Sequence, residues 1–551
     1  RLHPRLFRRL RPLHIAVIGS GPAGCAAALS LLQRGARVTL FDCGDDNAAV
    51  TEELQGNRIV AANAARSIDP VVLNRLSGAN AGRQKPRRRP GLASLIGGDI
   101  DPSRTQKRIL GSDFVFRHQQ QVMTIDGADP PVSAAPGGLS NVWGAACYPM
   151  RVADFKNWPL NPEDLSPYYH KAADLLGVNA NDDGLTNSYP LFGQQTGPRP
   201  STSLSALAPL WQESRHALQA SGLDGGYSRL AVGFSDCTHC GLCLFGCPHD
   251  LIASSRPWIE LIRDHPRGDY CSNTICLTFH EGPQGVQLKM LGPSGSYPSE
   301  RAFDRVFLAA GTLGSFRIAA QSLNLPNRAA PLLDNDMAVF LNRIGQTRGM
   351  EHPAIAPFSL SEMALALRPD ARNGDGIHFQ FYSFSPYIFG AMTADRFFSF
   401  LHRSGLWKLM WPRLAVGFAY LSAAQSRQVM ISAHRGEQPF WQLDIQGAQA
   451  PINSGELKEA VRRLQAAGDL TQLRPIGPSF KSTPFGFSGH LAGTLPMKER
   501  PEALQTDQLG RLADHQRISV VDGAVFPSLA PQNPTLTIVA NALRVANLTP
   551  L

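Results

Sequence analysis

Short apolar runs and an alanine-rich stretch follow one another near the N-terminal end of the chain. Residues 14–18 form an apolar run typical of a buried parallel strand. Residues 25–33 are rich in Ala and Leu and predict a helix. Residues 37–41 predict a second strand, which ends at Asp42. The pattern therefore predicts a strand–helix–strand unit.

A different pattern lies in the middle of the chain, where apolar and polar residues alternate one by one. The alternation predicts a strand in which Ile377, Phe379 and Phe381 face one side and His378, Gln380 and Tyr382 the other. Residues 396–413 then interleave aromatic and apolar residues with Arg and Lys. Such a segment lies on a membrane surface in some proteins and packs as an ordinary helix in others, and the sequence leaves both interpretations open.

The composition indicates a folded protein of more than one domain. The chain has 551 residues, which is too many for one compact core. Its apolar share of 43% argues against disorder. The formal charge of +9 favours anionic partners, and basic clusters within residues 1–11 and 83–89 are either solvated loops or anion-docking sites. No nucleic-acid-binding signature appears, so we expect no nucleic-acid partner. We find no apolar run of membrane-spanning length and no secretory apolar region at the visible N-terminus.

Three glycines follow the first predicted strand with the spacing of a dinucleotide-binding turn. Gly19 permits the tight turn, Gly21 lets the backbone approach a diphosphate, and Gly24 allows close helix–strand packing. The diphosphate would lie at the helix N-terminus, where free N–H groups favour anions. Asp42 can accept hydrogen bonds from an adenosine ribose. The motif predicts dinucleotide binding but does not itself separate FAD from NAD.

Several segments together resemble the glucose–methanol–choline (GMC) oxidoreductase family, over most of the chain and least between residues 333 and 474. They are residues 488–494 (SGHLAGT), 518–527 (ISVVDGAVFP), 531–539 (PQNPTLTIV), 136–144 (PGGLSNVWG) and 305–315 (RVFLAAGTLGS). The resemblance implies an α/β (α+β overall) fold. It comprises a Rossmann-like FAD-binding domain built from discontinuous segments and an antiparallel-sheet substrate domain.

The resemblance also implies which residues contact the cofactor. Beyond the N-terminal turn these are Gly137, Gly138, Ser140, Asn141, Gly311, Asp522, Gly523, Pro534 and Thr535. Some family members attach FAD to a His in the flavin loop, where this chain has Val142, so we expect FAD to bind non-covalently. The chain also departs from the family after Thr494, where Leu495-Pro496-Met497-Lys498 replaces Arg-Met-Gly.

The order of the segments predicts the domain boundaries. We expect the FAD-binding domain at 12–150, 251–330 and 481–551, the substrate domain at 151–230 and 331–480, and a cysteine loop at 231–250.

The family's catalytic base and its partner correspond to His490 and Asn533. An imidazole with a pKa near 6.5 can accept a hydroxyl proton at neutral pH, and an amide can donate to the substrate oxygen. The alternatives are a structural histidine and a turn residue before Pro534. His352 is a looser candidate for contact with substrate.

Four cysteines have the C-x2-C-x2-C-x3-C-P spacing of bacterial ferredoxins. Cys237, Cys240, Cys243 and Cys247 are followed by Pro248, and we expect them to hold one 4Fe–4S cluster. A 3Fe–4S cluster, a zinc site using nearby histidines, and disulfides are the alternatives, and Cys271 or Cys276 could supply a distant fourth ligand.

These features together predict an FAD-dependent dehydrogenase. It would oxidise a small-molecule alcohol, a sugar or sugar-bearing one by resemblance, while the apolar stretch 379–420 leaves long-chain or polyprenyl-linked alcohols open. It would pass electrons through the cluster to a quinone, cytochrome or ferredoxin-like carrier. A ferredoxin-fed flavin reductase, a zinc-stabilised alcohol oxidase and an electron-transfer subunit without its own substrate are the alternatives. We expect a cytoplasmic location, with peripheral contact at the inner face of the membrane as a variant.

Overall fold

The computed structural model describes residues 11–45, 123–194, 202–239, 249–292, 299–345, 358–370, 374–383, 413–437 and 439–551, together with the single residues 199, 241, 243, 247 and 404. Within this part the strands are β1 (His14–Ile18), β2 (Arg37–Phe41), β3 (Ile125–Asp126), β4 (Val178–Asn179), β5 (Leu223–Tyr227), β6 (Leu230–Ala231), β7 (Gly268–Cys271), β8 (Ile275–Gly282), β9 (Gly285–Leu291), β10 (Ser299–Phe303), β11 (Arg305–Leu308), β12 (Ala330–Pro331), β13 (Met337–Ile344), β14 (Met363–Leu367), β15 (Ile377–Ser383), β16 (Leu414–Tyr420), β17 (Met430–His434), β18 (Gln442–Gln446), β19 (Leu473–Pro475), β20 (Lys481–Ser482) and β21 (Ile518–Val520). The α-helices are α1 (Pro22–Gln33), α2 (Pro162–Leu176), α3 (Leu207–Glu213), α4 (Arg215–Ala220), α5 (Arg256–Arg263), α6 (Gly311–Ser322), α7 (Ser454–Ala466), α8 (Gly468–Thr471) and α9 (Thr535–Leu548).

A parallel sheet gathers strands from three distant parts of the sequence. Its order is β21–β11–β1–β2–β7, and every neighbouring pair is parallel. The strand–helix–strand unit predicted at the N-terminus is confirmed, with the helix beginning earlier, at Pro22. Helix α1 packs against α9, and its buried alanines allow the two helices to approach closely. The two ends of the chain therefore build one parallel layer, the architecture that the resemblance implies for the FAD-binding domain.

The largest sheet is antiparallel and forms a second layer. Its order is β19–β13–β16–β15–β14–β5, with β20 also paired to β13. The strand predicted from alternation is β15, which is confirmed. Its apolar residues lie in a core that includes residues of α3 and α7, and its polar residues face the other side. The predicted mixed α/β fold with a Rossmann-like domain and an antiparallel sheet is thus confirmed.

Three smaller sheets complete the described architecture. They have the orders β10–β9–β8, β12–β17–β18–β3 and β4–β6. β3 lies in segment 12–150 but pairs with β18, and β20 lies just past residue 480 but pairs with β13. These two short strands cross the predicted domain boundaries, which otherwise stay a prediction.

Several sequence features fall outside the described residues. They are the basic clusters, apart from Arg11, nearly all of the aromatic segment 396–413, His352 and Cys240. Among the helices that the structure does describe, none has both the length and the apolar character needed to cross a bilayer.

Candidate active site

Three glycines with different roles shape the turn between β1 and α1. Gly19 has a φ of +106°, and a Cβ there would lie 2.3 Å from the carbonyl oxygen of Ala309. A Cβ on Gly24 would lie 1.9 Å from the carbonyl oxygen of Gly19, so Gly24 lets α1 approach the turn. A Cβ on Gly21, which caps α1, would meet no atom within 4 Å. The open space at Gly21 therefore lies where free helix N–H groups favour a diphosphate.

Asp42 lies at the carboxyl end of β2, beside the glycine turn. Its Oδ2 accepts a hydrogen bond from the backbone N–H of Ser20 at 2.9 Å, and its Oδ1 accepts one from Gly44 at 2.6 Å. A carboxylate offers about four lone-pair sites, so the same group can also accept ribose hydroxyls. The structure thus brings Asp42 to the turn, as the sequence predicts.

The predicted flavin loop, residues 136–144, lies against this turn. The backbone N–H of Gly137 donates to Oγ of Ser20 at 2.8 Å. A Cβ on Gly138 would lie 3.8 Å from Cα of Gly21. Both loop glycines have positive φ angles, +83° and +57°, which other residues rarely adopt. The two glycine-rich segments are therefore in direct contact beside the predicted cofactor site.

Ser140 and Asn141 hold the shape of the loop. Ser140 Oγ donates to the carbonyl oxygen of Gly137 at 2.6 Å. Asn141 Nδ2 donates to the carbonyl oxygens of Pro136 and Gly138 at 2.9 and 2.7 Å. These bonds stay within the loop, so the direct contact of both side chains with a cofactor stays a prediction.

The third predicted cofactor segment joins the start of α6 to the end of β21. Gly311 begins α6 with a φ of +75°. Asp522 accepts a hydrogen bond from Ser315 Oγ at 2.6 Å, and burial raises the pKa of its carboxyl to about 6. A Cβ on Gly523 would lie 3.1 Å from the carbonyl oxygen of Leu491, so this glycine lets the neighbouring segment pack closely.

The last predicted cofactor residues begin the C-terminal helix. Pro534 caps α9, and Thr535 is its first residue. Asn533 comes directly before this cap, so a rigid element at the end of the parallel layer positions its side chain.

The two candidate catalytic residues are in contact. Nδ2 of Asn533 lies 2.9 Å from Nε2 of His490, and Nδ1 of His490 lies 2.9 Å from Oδ1 of Asn335. The ring of Tyr420 stacks on the imidazole, with 5.6 Å between the ring centroids. His490 is buried, and burial lowers its pKa to about 4. The imidazole is therefore neutral at neutral pH and lies between two amides.

Asn335 is a site residue that the sequence reasoning missed. Its Nδ2 donates to the carbonyl oxygens of Leu421 and Ala530 at 2.6 and 3.0 Å. The available signal is the polar run of residues 334–336 before the apolar strand β13, because polar residues at a strand end often belong to a site.

Gln380 and Tyr382 extend the site along the polar face of β15. Gln380 Nε2 donates to Oδ1 of Asn533, and the hydroxyl of Tyr382 donates to Oε1 of Gln380 at 3.1 Å. The alternating pattern placed these residues on one face of a strand, but it did not reveal that this face meets Asn533.

A buried carboxyl supports the backbone around His490. Asp334 accepts hydrogen bonds from Ser488 Oγ and from the backbone N–H of Gly486, the latter at 2.7 Å. Ser488 Oγ in turn accepts from the backbone N–H of His490 at 2.9 Å. Burial raises the pKa of Asp334 to about 6. This chain of bonds fixes the turn from which the imidazole projects.

The structure describes three of the four cysteines in the ferredoxin-like run. The backbone N–H of Leu251 donates to Sγ of Cys247 at 3.4 Å. Within the described residues no group of three or more His, Cys, Asp or Glu side chains is arranged to hold a metal, and Cys240 lies outside that set. The more distant candidate ligands Cys271 and Cys276 lie on or beside the parallel sheet, where Cys276 is buried.

The cysteine loop begins and ends in a small sheet with the exit of the flavin loop. We call residues 145–147, 229–233 and 251–253 the loop-base sheet. Residues 229–231 pair with 145–147 through backbone hydrogen bonds of 2.8 and 2.9 Å. Residues 231–233 pair with 251–253 through bonds of 2.9 and 3.0 Å. The two ends of the cysteine loop are therefore adjacent, and both are joined to the flavin-loop segment.

Side chains strengthen the same connection. Nε1 of Trp143 donates to the carbonyl oxygen of Ala253 at 2.7 Å. Ser255 Oγ donates to the carbonyl oxygen of Ser20 at 2.8 Å, and its backbone N–H donates to Ser140 Oγ at 3.1 Å. The segment that leaves the cysteine loop therefore contacts both glycine-rich segments of the predicted cofactor site.

Comparisons with known proteins agree with this arrangement. Residues 448–542 match the GMC oxidoreductase C-terminal family model, and residues 17–69 match an NAD(P)-binding Rossmann-like domain. No curated protein sequence matches this chain significantly. Pyridoxine 4-oxidase from Mesorbium loti is a similar solved structure, with 15% identity, a TM-score of 0.56, and coverage of 97% of this chain and 98% of that chain. At this identity the similarity shows a shared fold, which extends over nearly the whole of both chains.

Proposed function

We propose that this chain, whose residues 448–542 match the GMC oxidoreductase family model and whose residues 17–69 match a Rossmann-like domain, binds FAD non-covalently and oxidises an alcohol, with His490 as the base and Asn533 as the hydrogen-bond donor. The observation that carries this proposal is the 2.9 Å contact between Nδ2 of Asn533 and Nε2 of His490. This contact supports the proposal, because one hydroxyl oxygen can reach a proton acceptor and a donor that lie so close together.

The residues of the glycine turn fit FAD. The open space at Gly21, the N-terminus of α1 and the carboxylate of Asp42 provide the anion site and ribose acceptor of a dinucleotide. Gly137 and Gly138 would cover the cofactor from the flavin loop. When bound, FAD accepts the hydride that leaves the alcohol carbon.

The protein side chains handle the proton and the oxygen. A substrate hydroxyl that enters between the two residues donates its proton to Nε2 of His490 and accepts a hydrogen bond from Nδ2 of Asn533. The amide then stabilises the negative charge that develops on the oxygen. Burial limits the contact of the imidazole with solvent, which favours proton transfer from the bound substrate hydroxyl.

The substrate class follows from the polar surface beside this pair. Gln380 and Tyr382 lie on one face of β15; Gln380 is hydrogen-bonded to Asn533, and Tyr382 is hydrogen-bonded to Gln380. Amide and phenol groups recognise hydroxyls by hydrogen bonding, so a sugar or sugar-bearing alcohol fits better than a simple aliphatic one.

We propose a 4Fe–4S cluster held by Cys237, Cys240, Cys243 and Cys247 as the exit for electrons. Thiolates in this spacing are cluster ligands, and the N–H of Leu251 directed at Cys247 is a bond that stabilises such a sulfur. The loop-base sheet supports the proposal, because it joins this loop to the flavin loop. When bound, the cluster passes single electrons to a quinone, cytochrome or ferredoxin-like acceptor. Clusters are assembled inside cells, so we propose a cytoplasmic location, with residues 396–413 as the candidate for membrane contact.

Anaerobic mixing with a panel of alcohols tests the reaction directly. We expect sugars or sugar-bearing alcohols to bleach the flavin absorbance of the purified protein, and an artificial acceptor to restore it. If reduced ferredoxin bleached the flavin absorbance and no alcohol did, the result would instead favour a ferredoxin-fed flavin reductase.

Iron and acid-labile sulfide test the cysteine loop. We expect about four of each per chain in anaerobically purified protein, with an EPR signal on reduction, and a loss of both in Cys247→Ser. Cys271→Ser is the matched control and should keep them. Loss in Cys271→Ser alone would assign the fourth ligand there, and zinc in place of iron would refute the cluster.

The pH dependence of kcat/KM should reflect the burial of His490. Burial lowers the pKa of this base to about 4, so the imidazole stays neutral, and active, well below the ordinary value of 6.5. We expect kcat/KM for a non-ionising alcohol to fall on the acid side with a midpoint near pH 4. A midpoint at 6.5 or above would show that another group, or a solvated histidine, accepts the proton.

A further inference from the structure

The side chains around the candidate base form one hydrogen-bonded series with a fixed direction. The series starts at Asn335, whose Nδ2 lies within hydrogen-bond distance of the carbonyl oxygens of Leu421 and Ala530. Carbonyl oxygens only accept hydrogen bonds, so the NH2 group of Asn335 must point towards them. Its Oδ1 must therefore face Nδ1 of His490, at 2.9 Å.

This anchor determines the tautomer of the imidazole. Because Oδ1 of Asn335 can only accept, Nδ1 of His490 must carry the proton, and Nε2 must carry the lone pair. Nε2 therefore requires a donor, which fixes the amide of Asn533 with Nδ2 towards the imidazole at 2.9 Å.

The same logic continues to β15. With Nδ2 of Asn533 turned to the imidazole, its Oδ1 faces Nε2 of Gln380 and accepts a hydrogen bond from it. The Oε1 of Gln380 then accepts from the hydroxyl of Tyr382 at 3.1 Å. Every orientation follows from the two backbone carbonyls at the start of the series.

We propose that Asn335 and Gln380 are positioning residues of the active site, an inference that rests on the proposed function. Asn335 keeps the lone pair of His490 on Nε2, where a substrate hydroxyl can reach it. Gln380 keeps the amide of Asn533 turned so that its N–H, and not its oxygen, meets the substrate oxygen. Either residue acts through another side chain and does not itself exchange a proton.

The same arrangement explains how the substrate hydroxyl can replace the hydrogen bond between Asn533 and His490. The alcohol O–H donates to Nε2, the N–H of Asn533 donates to the alcohol oxygen, and the Asn533–His490 bond opens. The hydroxyl proton moves to Nε2; FAD, when bound, would take the C–H bonding pair as hydride, which leaves the C–O group as a carbonyl. If the lone pair were on Nδ1, the substrate hydroxyl would meet an N–H at Nε2 instead of an acceptor. If the Asn533 amide were reversed, the substrate oxygen would meet Oδ1 instead of an N–H.

The tautomer can be measured without turnover. In protein labelled with ¹⁵N-histidine, subtracting the spectrum of His490→Gln isolates one of 15 histidines. We expect the resting His490 to show a protonated Nδ1 and an unprotonated Nε2 across neutral pH. The reverse tautomer, or a mixture, would overturn the proposal even if the protein oxidised no alcohol. Failure of the proposed function would show instead as a missing response to every alcohol with this tautomer intact.

Two variants separate positioning from a structural role. Asn335→Asp keeps an acceptor at Nδ1 but adds negative charge, so the acid limb of kcat/KM should move upward by about 1 pH unit or more. The other titratable groups near the imidazole are Tyr420, which stacks on it, and His378. Asp334 is linked to the backbone of His490 through Ser488, and the substitution replaces none of these three residues. Asn324→Asp adds the same charge at an exposed position and should leave the limb in place.

Gln380→Met provides the second variant, which keeps size but removes the donor to Asn533. We expect kcat/KM to fall roughly 3- to 10-fold, as one lost hydrogen bond predicts, while the acid limb stays where it is. An unchanged limb in Asn335→Asp or an unchanged rate in Gln380→Met would each contradict the proposal. If Asn335→Asp does not fold, the tautomer of the wild type and Gln380→Met still decide it.

Discussion

Replacing His490 with glutamine should lower the rate at which an alcohol reduces the bound flavin by roughly 10²- to 10⁴-fold, the usual contribution of a positioned general base. The substitution keeps a polar side chain of similar size in the buried site. It removes the lone pair of Nε2, which is the only proposed acceptor for the hydroxyl proton. Without it the alkoxide must form unaided, at a large cost in activation free energy.

Stopped-flow absorbance under anaerobic conditions measures this rate directly. The flavin content of His490→Gln should match that of the wild type, because the residue lies beside Asn533 and outside the glycine turn. His280→Gln, at an exposed position on β8, is the matched control and should behave like the wild type. If His490→Gln is fully loaded with flavin and its flavin is reduced at a rate within about threefold of the wild-type rate, then His490 is not the base.

Replacing Gly21 with alanine should abolish FAD binding while leaving the protein folded. In the structure a Cβ at this position meets no atom within 4 Å, and the φ of −62° suits any residue. The methyl group would instead occupy the space where the diphosphate approaches the backbone. The stability of the empty protein should be unchanged or slightly higher, because alanine restricts the unfolded chain.

The ratio of FAD to protein after purification, measured with the thermal midpoint of the apoprotein, tests this expectation. Gly477→Ala is a matched control, since a Cβ there also meets no atom within 4 Å and the site lies elsewhere. Gly24→Ala should instead impair folding, because the added Cβ would lie 1.9 Å from a carbonyl oxygen. Normal FAD content in Gly21→Ala would place the dinucleotide away from this turn.

The parts of the site that were predictable are those encoded in local patterns. The glycine spacing around Gly19 places a tight turn between a strand and a helix, and the structure has it there. The family motifs around His490 and Asn533 predicted a pair, and the two residues are in contact. The alternation in β15 predicted a strand with one polar face. In each case neighbouring residues contain the necessary information.

The remaining parts depend on how distant segments align. Asn335 meets His490 across 155 residues, and Gln380 meets Asn533 across 153. These contacts follow from the register of antiparallel strands and from the approach of two sheets, which no local period determines. The link from Trp143 to Ala253 is of the same kind, because it joins two loops through a single indole N–H.

The loop-base sheet also bears on how such a chain could have acquired its cysteines. Because residues 231–233 pair with 251–253, the two points where the cysteine loop leaves the fold lie about one strand spacing, roughly 5 Å, apart. A short turn could join the same two strands without moving either of them. An insertion between these two strands could therefore be gained or lost during evolution while the contact between His490 and Asn533 stayed in place. Under the proposed function, the route by which electrons leave the protein could change in this way without any change to the residues that handle the alcohol.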